Sequence, residues 1–273
     1  MKIAIQGIQG CFHQIAANNY FGYPIDVYPC LSFDVLIDSV LSQKDCDLGI
    51  LAIENSIAGS ILQNYKLLQK SGLQIIGETY LKIEQNLIVP KGMSLSEIKE
   101  VHSHPMAIYQ CDDFLKSIPS AKLVEMEDTA LGVKELGIDL HLKKAAIGSR
   151  LSAEIYGQEI LKEAIQTNKK NYTRFLVISK AATSTLEETN KASIYLQIKH
   201  EKGSLAEVLS LIANANINLS KLQSYPILGS DWEYYFHLDL AYESYVDFQK
   251  MISTITPHTS SIKILGNYKA GKR

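Results

Sequence analysis

Three short polar segments carry residue types that could recognise and transform a small anionic molecule. Residues 54–56 (Glu-Asn-Ser) set a carboxylate, an amide and a hydroxyl side by side, and residues 103–105 read Ser-His-Pro. In the third segment, residues 171–175, Thr173 and Arg174 stand at the entry to an apolar run. A guanidinium fork beside a hydroxyl suits recognition of a carboxylate. An edge strand with a solvated arginine fits this segment alone equally well.

Glu54 is the most informative residue of its segment. Asn55 or Ser56 is readily explained as a helix cap, because side-chain oxygens of these residue types accept from free helix amides. Capping does not require a glutamate directly after the all-apolar run that precedes Glu54. We therefore predict that this carboxyl group has a role in chemistry.

Other kinds of site fit the motifs poorly. His102 and His104 are spaced for one face of a strand, which is a weak metal signal, and we expect no metal. The chain has no Gly-x-Ser-x-Gly elbow, and adjacency in sequence splays Ser103 and His104 apart, which disfavours a serine nucleophile. Gly7-x-x-Gly10 most simply predicts a tight strand-to-helix turn, although its free amides could hold a carboxylate.

The composition is that of an ordinary globular protein. Of 273 residues, 46% are hydrophobic and 21% charged, with a formal net charge of −2, so we expect no nucleic-acid partner. We find no leader pattern at the N-terminus and no apolar run of about 18 residues, so no membrane association is expected. The cysteines form no Cys-x-x-Cys pair, which favours free thiols and a cytoplasmic location.

Strand and helix signals alternate through the first 180 residues. Apolar runs such as 2–6 and 48–53 predict strands, and helical spacing of apolar residues between them predicts helices. Two extended runs within 73–90 indicate a crossing into a second lobe, and 175–178 returns to the first. Such alternation predicts a mostly parallel sheet in each lobe. Because ligands bind outside the carboxyl ends of such strands, we expect the polar segments at a cleft between the lobes.

The last third of the chain has a different pattern. Residues 181–190 are polar and rich in Ser and Thr, which is typical of a linker. Beyond them, alternating apolar residues and helical spacing predict the order βαββαβ, the ferredoxin-like split unit. A turn at Gly229-Ser230-Asp231 is expected between its second and third strands. This is a second domain.

In combination, these motifs resemble the prephenate dehydratase family with a C-terminal ACT domain. The matching residues are Gly7, Gly10, Glu-Asn-Ser at 54–56 with Gly-Ser at 59–60, Ser-His-Pro at 103–105 with Gln110-Cys111, Thr173-Arg174-Phe175 and Gly203-Ser204-Leu205. Their order and spacing cover nearly the whole chain. The resemblance implies an α/β fold in which a two-lobed, periplasmic-binding-protein-like (type II) catalytic domain precedes a ferredoxin-like βαββαβ ACT domain.

The resemblance also implies domain boundaries. The catalytic domain is expected at 1–180, the linker at 181–190 and the ACT regulatory domain at 191–273. Lobe 1 would comprise about 1–78 and 165–180, and lobe 2 about 79–164. ACT domains usually pair side by side, so we expect a homodimer or a homotetramer.

The activity implied by the resemblance is the decarboxylative dehydration of prephenate to phenylpyruvate in L-phenylalanine biosynthesis, without cofactor or metal. Thr173 is expected to donate a hydrogen bond to the leaving hydroxyl, and Glu54 to supply the proton if its pocket keeps it protonated. The residues expected to orient the substrate are Asn55, Ser56, Ser103, Gln110 and Arg174. L-phenylalanine is expected to bind as an allosteric effector at Gly203, Ser204, Leu205, Asn218 and Leu219.

Three positions depart from the family pattern. The N-terminal turn usually continues Thr/Ser-Phe/Tyr-Ser, and here residues 11–13 are Cys-Phe-His. Met106 stands where glutamine is common. In the ACT part, the pattern Glu-Ser-Arg-Pro is replaced by Gln-Ser-Tyr-Pro at 223–226, with Gln223 and Tyr225 uncharged. We therefore expect a charge-based coupling between the domains to be lost.

Two other functions remain open. An arogenate dehydratase performs the same elimination on the amino-acid analogue of prephenate. A non-catalytic, two-lobed small-molecule sensor would share the fold, but a periplasmic binder would carry a secretion signal and a transcriptional sensor a DNA-binding helix pair. Neither pattern is found in this sequence.

Overall fold

A computed structural model describes residues 2–182, 185–199, 201–227 and 233–272. The predicted turn at Gly229-Ser230-Asp231 lies outside the described residues, and the predicted linker lies partly outside them. The described chain forms three sheets, of six, five and four strands. The first two sheets belong to the two lobes and the third to the C-terminal unit.

Lobe 1 is a six-stranded sheet with helices on both faces. Its strands are β1 (Lys2–Gln6), β2 (Asp26–Cys30), β3 (Leu48–Asn55), β4 (Gly59–Ser60), β5 (Gln74–Lys82) and β11 (Tyr172–Ser179), and its helices are α1 (Phe12–Phe21), α2 (Phe33–Ser42) and α3 (Leu62–Ser71). The strand order is β2-β1-β3-β11-β5, with β4 paired to β3. Helix α1 packs on one face of this sheet, and α2 and α3 pack on the other.

Lobe 2 is a five-stranded sheet. Its strands are β6 (Asn86–Val89), β7 (Glu100–Ser103), β8 (Lys122–Glu125), β9 (Lys144–Gly148) and β10 (Glu159–Lys162), and its helices are α4 (Pro105–Gln110), α5 (Asp112–Leu115), α6 (Thr129–Glu135) and α7 (Arg150–Ile155). The strand order is β10-β6-β9-β7-β8. Pro105 occupies the first turn of α4, where its missing amide proton costs no helical hydrogen bond.

The two sheets are mixed, so the prediction of mostly parallel sheets is wrong. Strand β1 runs parallel to β2 and β3, and β7 to β8 and β9. Strands β11 and β6 instead run antiparallel to their neighbours. The chain crosses between the lobes twice, at 83–85 and 163–171, and β11 and β6 each follow such a crossing. Pairing of Lys82 with Tyr172 also extends lobe 1 beyond the predicted end at residue 78.

The C-terminal unit has the βαββαβ order that the sequence predicts. Its elements are β12 (Lys191–Gln197), α8 (Ser204–Asn214), β13 (Asn218–Pro226), β14 (Tyr234–Ala241), α9 (Tyr245–Ile255) and β15 (Ser261–Tyr268). The four strands form an antiparallel sheet in the order β13-β14-β12-β15. Both helices pack on this sheet around a separate apolar core.

The C-terminal unit is packed directly against lobe 1. Tyr225, Leu265 and Tyr268 are buried in the same apolar cluster as α2 and α3. Strand β15 approaches β5 so closely that a Cβ atom at Gly266 would overlap the carbonyl of Ile75. Only glycine permits this backbone-to-backbone approach. The C-terminal unit and lobe 1 therefore share one buried interface.

Candidate active site

A cavity of about 410 Å³ lies between the two lobes, at the carboxyl ends of β1 and β3. Polar side chains from both lobes line it, among them His13, Asn55, His104, Gln110, Asp128 and Thr173. Among the described residues that line it, there is no lysine or arginine. An anionic ligand in this cavity would therefore depend on neutral hydrogen-bond donors.

Strands β3 and β11 present two residue pairs to opposite sides of their sheet. Thr173 stands opposite Asn55, and the next pair is Arg174 opposite Glu54. Asn55 and Thr173 line the cavity between the lobes. Because successive strand residues point to opposite faces, Glu54 and Arg174 face the C-terminal unit instead. These four residues are thus neighbours in one pair of strands, but two face the cavity and two face the C-terminal unit.

A β-bulge in β3 is the reason why Glu54 points away from the cavity. Arg174 pairs with Glu54, but the following residue, Phe175, pairs with Ala52, so Ile53 is an extra residue on β3. Without this bulge, period-two alternation would place Glu54 on the same face as Ala52, which lines the cavity. The extra residue reverses the alternation beyond it.

The side chain of Asn55 orients the Thr173 hydroxyl. Asn55 Oδ1 accepts hydrogen bonds from the amides of Ile57 (3.0 Å) and Ala58 (2.9 Å), so the other terminal atom, Nδ2, is the donor. Asn55 Nδ2 donates to Thr173 Oγ1 at 2.9 Å and to Asn171 Oδ1 at 2.7 Å. Because Thr173 Oγ1 accepts from an amide, its own proton remains to be donated into the cavity.

Gln110 continues this network across the lobe boundary. Its Oε1 accepts hydrogen bonds from Asn171 Nδ2 at 2.9 Å and from Gln85 Nε2 at 3.3 Å. Both contacts occupy the oxygen, so the amide group that Gln110 can offer to a ligand is its Nε2, with two protons. Asn55, Thr173 and Gln110 are therefore the predicted site residues that line this cavity, whereas Glu54, Ser56 and Arg174 line a second cavity of about 350 Å³.

The prediction that Glu54 and Arg174 face this cavity is wrong. The Glu54 carboxylate pairs with Lys221 of the C-terminal unit, at 2.5 Å from Oε1 to Nζ. The Arg174 guanidinium is buried, where it pairs with Glu78 at 2.7 Å and with Asp239. Neither side chain has a free charge to offer a substrate in the cavity.

Ser56 and Ser103 are also placed differently from the prediction, because their hydroxyls bond to backbone. Ser56 Oγ donates to the carbonyl of Lys170 at 3.1 Å and accepts from the amide of Tyr172 at 2.9 Å. Ser103 is fully buried and donates to the carbonyl of Ile147 at 2.7 Å. Ser56 therefore fixes the loop before β11, and Ser103 links the neighbouring strands β7 and β9. Neither serine lines the cavity.

Titratable cavity residues that the sequence reasoning did not assign to the site include His13, Glu127 and Asp128. Burial lowers the pKa of His13 to about 3, so its imidazole is neutral, and it packs edge-on against Phe175 at 5.0 Å. Burial raises the pKa of Asp128 to about 6. Asp128 Oδ1 accepts from the amides that open α6, at 2.8 and 3.1 Å, while Oδ2 lies beside Gly7 of the other lobe. The available signals were the unusual residue type at position 13 and an acidic residue before Thr129.

The first turn of α1 forms part of the wall of the cavity. Cys11 is the N-cap residue but makes no capping hydrogen bond, and its thiol contacts the carbonyl of Gln6 at 3.5 Å. Burial raises the pKa of Cys11 to about 12, so the thiol is neutral. Phe12 and His13, the first two residues of the helix, line the cavity. The backbone amides of His13 and Gln14 are oriented toward this thiol and partly offset the effect of burial, so they are not free for an anionic ligand.

The Gly7–Gly10 turn also joins the lobes. Ser149 Oγ donates to the carbonyl of Gly10 at 2.6 Å, and Tyr156 donates to the carbonyl of Gln9 at 2.9 Å. A Cβ atom at Gly10 would lie 2.7 Å from Cα of Ser152, so only glycine fits against α7. This turn therefore seats the start of α1 against lobe 2.

The predicted effector residues fall at two ends of the C-terminal sheet. Gly203 and Leu205 line a cavity of about 540 Å³ beside the β12–α8 turn, and Ser204 begins α8. Asn218 and Leu219 begin β13, next to the end of β14 that pairs with the start of β12. Gly203 follows the end of β12, so the two groups lie roughly 20 Å apart along the strands. One copy of the chain does not bring them together.

The described residues include no group of three or more His, Cys, Asp or Glu side chains that could hold a metal ion. None of the described helices combines the length and apolar character needed to cross a bilayer. The four cysteines are buried free thiols.

Comparisons with known proteins agree on a family. Residues 3–183 match the family model described as prephenate dehydratase. The bifunctional chorismate mutase/prephenate dehydratase of Buchnera aphidicola subsp. Schizaphis graminum is 34% identical over 267 residues, covering 96% of this chain and 69% of the relative.

Two solved structures share the fold over nearly the whole chain. GqqA, described as a quorum quenching acylase, has a TM-score of 0.89 and 27% identity, covering 99% of this chain and 98% of its own. The prephenate dehydratase of Arthrobacter aurescens, in complex with L-Phe, has a TM-score of 0.86 and 25% identity, covering 98% and 90%. With a family model that spans most of its length, this chain belongs to the prephenate dehydratase family.

Proposed function

We propose that the chain converts prephenate to phenylpyruvate, water and carbon dioxide in the cavity between the lobes. The observation that carries this proposal is the Thr173 hydroxyl, which Asn55 orients so that its proton is donated into the cavity. In the reaction, the carboxylate leaves as carbon dioxide and its electron pair completes the aromatic ring. The hydroxyl leaves as water with one added proton, which comes from solvent by way of the Thr173 hydroxyl. The site must therefore stabilise an oxygen that gains negative charge as it departs.

The side chains of the cavity divide this task. Thr173 donates a hydrogen bond to the departing hydroxyl, and Gln110 Nε2 holds a substrate oxygen. The apolar walls around Phe12 and Phe175 leave the departing carboxylate poorly solvated, which favours loss of its charge as carbon dioxide. Glu54 and Arg174 act from the far side of the sheet, and we withdraw them from substrate contact.

Asp128 supplies a test of which substrate the cavity prefers. Its raised pKa of about 6 means that the carboxylate form dominates at neutral pH and repels the prephenate dianion. We expect kcat/KM for prephenate to fall as pH rises above about 6. Asp128→Asn keeps the cap of α6 and removes the charge, so it should lower KM for prephenate at pH 8 by about tenfold, the equivalent of one pKa unit, and flatten the pH profile.

The ammonium group of arogenate would respond in the opposite direction. A carboxylate at residue 128 attracts that group, so Asp128→Asn should raise KM for arogenate. Steady-state kinetics of both substrates are measured between pH 5.5 and pH 8.5, a range that includes the Asp128 pKa of about 6. These measurements test both effects. A variant whose kinetics match the wild type for both substrates contradicts the role of this charge.

For the C-terminal unit we propose an ACT domain that binds L-phenylalanine. Support comes from its βαββαβ order and from the L-Phe complex of the Arthrobacter aurescens enzyme. Gly203, Ser204 and Leu205 of one copy would meet Asn218 and Leu219 of another, because the two groups stand apart in a single copy. This arrangement needs a homodimer or homotetramer, and we place the enzyme in the cytoplasm.

The proposed function is tested with purified protein, by absorbance of phenylpyruvate formed from prephenate. Arogenate is supplied to a parallel sample, with phenylalanine as the measured product, and the prephenate assay is repeated with L-phenylalanine present. We expect turnover of prephenate and its inhibition by L-phenylalanine. Turnover of arogenate alone would assign the alternative activity, and failure to turn over either compound would refute a dehydratase.

A further inference from the structure

Glu54 and Arg174, the strand neighbours of Asn55 and Thr173, form ion pairs with the C-terminal unit. Lys221 Nζ of β13 donates to Glu54 at 2.5 Å and to Ser60 at 2.8 Å. The Glu54 and Lys221 side chains are 31% and 17% exposed, so water screens this ion pair only in part. The first contact between the C-terminal unit and the Glu54–Arg174 pair is therefore a partly buried charge pair.

The second contact is fully buried. Arg174 donates to Asp239 of β14 and to the hydroxyl of Tyr268 of β15, at 3.1 Å in the latter case. On its own lobe it pairs with Glu78, whose carboxylate also receives Lys191 of β12 at 2.9 Å. Two strands of the C-terminal sheet thus contact Arg174, the residue that follows Thr173, and a third contacts its partner Glu78.

These contacts correct the expectation that Gln223 and Tyr225 remove charge coupling between the domains. Tyr225 is buried and donates to Gln69 at 3.0 Å, so this position contributes a neutral hydrogen bond. The charges that join the domains come from Lys221, Lys191 and Asp239 instead. The coupling is carried by other residues of the same sheet.

Backbone geometry links the two sides of the sheet. Asn55 directly follows Glu54, and Thr173 directly precedes Arg174, within one paired ladder. Rotation or translation of one residue in a strand moves its neighbour, because the backbone between them has only two soft dihedrals per residue. A shift of Lys221 or Asp239 would thereby reach the 2.9 Å contact between Asn55 and Thr173.

We propose that Glu54 and Arg174 are positioning residues, through which the C-terminal unit sets the geometry of the Asn55–Thr173 pair. The inference rests on the proposed catalytic role of Thr173. Glu54 and Arg174 lie on the side of the sheet that faces away from the cavity. Lys221 and Asp239 are the residues of the C-terminal unit that act on catalysis through them. No contact with substrate is needed for this role.

Lys221→Met tests the proposal from outside the cavity. We expect kcat for prephenate to fall about tenfold, because small misplacements of a catalytic group are costly, while KM stays within about twofold. Lys250→Met is the matched control, since Lys250 lies on α9 of the same unit and its ion-pair partner among the described residues is exposed Asp247. The charge exchange Glu54→Lys with Lys221→Glu should recover part of the lost kcat, which a role in folding alone would not produce.

Hydrogen exchange gives a readout that does not depend on activity. Amides of residues 53–58 and 171–175 should exchange faster in Lys221→Met than in the wild type or Lys250→Met, because the ladder loses one support. If Lys221→Met exchanges faster but the wild type does not turn over prephenate, the proposed function fails, and only the structural link between Lys221 and the Asn55–Thr173 ladder is supported. Unchanged exchange and unchanged kcat in Lys221→Met would overturn the inference.

Discussion

Replacing Thr173 with alanine is expected to lower kcat for prephenate by about 10²–10⁴-fold, the usual contribution of a positioned proton donor. The hydroxyl proton of Thr173 points into the cavity because Asn55 occupies its oxygen as a donor. Loss of this hydroxyl removes a hydrogen bond to the departing oxygen and the acceptor of one Asn55 hydrogen bond, while Asn55 Nδ2 keeps Asn171 Oδ1 as a partner. We expect KM to change by less than about threefold, since the interaction strengthens in the transition state.

Two matched substitutions separate the hydroxyl from the shape of the side chain. Thr173→Val keeps the branched shape and removes the hydroxyl, so it should lose as much kcat as Thr173→Ala. Thr173→Ser keeps the hydroxyl and should stay within about tenfold of the wild type, the difference coming from looser rotamers. Phenylpyruvate absorbance gives the rates, and thermal unfolding verifies that each variant is folded. A Thr173→Val enzyme with near-normal kcat would remove Thr173 from the chemistry.

The sequence could predict that Thr173 and Asn55 belong to a site, but not which neighbours point with them. Their types and their positions at strand ends are local features. The face presented by Glu54 depends on the bulge at Ile53, which arises from pairing with a strand that begins at Tyr172. No residue type at 52–54 marks that bulge, so the strand register was needed.

The buried partners of Arg174 had a weaker but readable signal. Glu78 and Asp239 each stand within otherwise apolar or neutral strand sequences, and an acidic residue there requires a cation. The sequence does not indicate which cation, because Asp239 lies 65 positions away from Arg174. The cavity residue Asp128 was hidden for another reason, since its capping of α6 is a sufficient explanation for an acid at that position.

Replacing Asp239 with asparagine is expected to lower the free energy of unfolding by about 3–5 kcal/mol, the cost of breaking a buried ion pair. Asp239 is fully buried and also receives Ser193 Oγ at 2.5 Å and His237 Nε2 at 3.1 Å. In the neutral variant, Glu78 is the acidic partner that remains for the buried Arg174 guanidinium. Urea unfolding followed by circular dichroism measures the change, with Asp247→Asn, an exposed pair on α9, as a control expected within about 0.5 kcal/mol.

The same pair predicts a dependence of stability on pH. Burial alone would raise the pKa of Asp239, but Arg174 and His237 outweigh it and hold the pKa of Asp239 well below its ordinary value. A folded-state pKa below the unfolded one contributes stability that is present above about pH 4 and is lost as pH falls toward the folded pKa. Wild-type stability should therefore decline below about pH 4 more steeply than that of Asp239→Asn.

Arg174→Met decides between the two roles that can be assigned to this arginine. If Arg174 held a substrate carboxylate, its loss would raise KM about tenfold or more and leave the free energy of unfolding nearly unchanged. With Arg174 in the buried cluster, Glu78 and Asp239 lose their shared cation, so we expect a loss of about 3–5 kcal/mol. In the folded fraction kcat should fall with KM nearly constant, because the guanidinium reaches Thr173 only through the strand. A rise in KM without loss of stability would return Arg174 to the cavity side of the sheet.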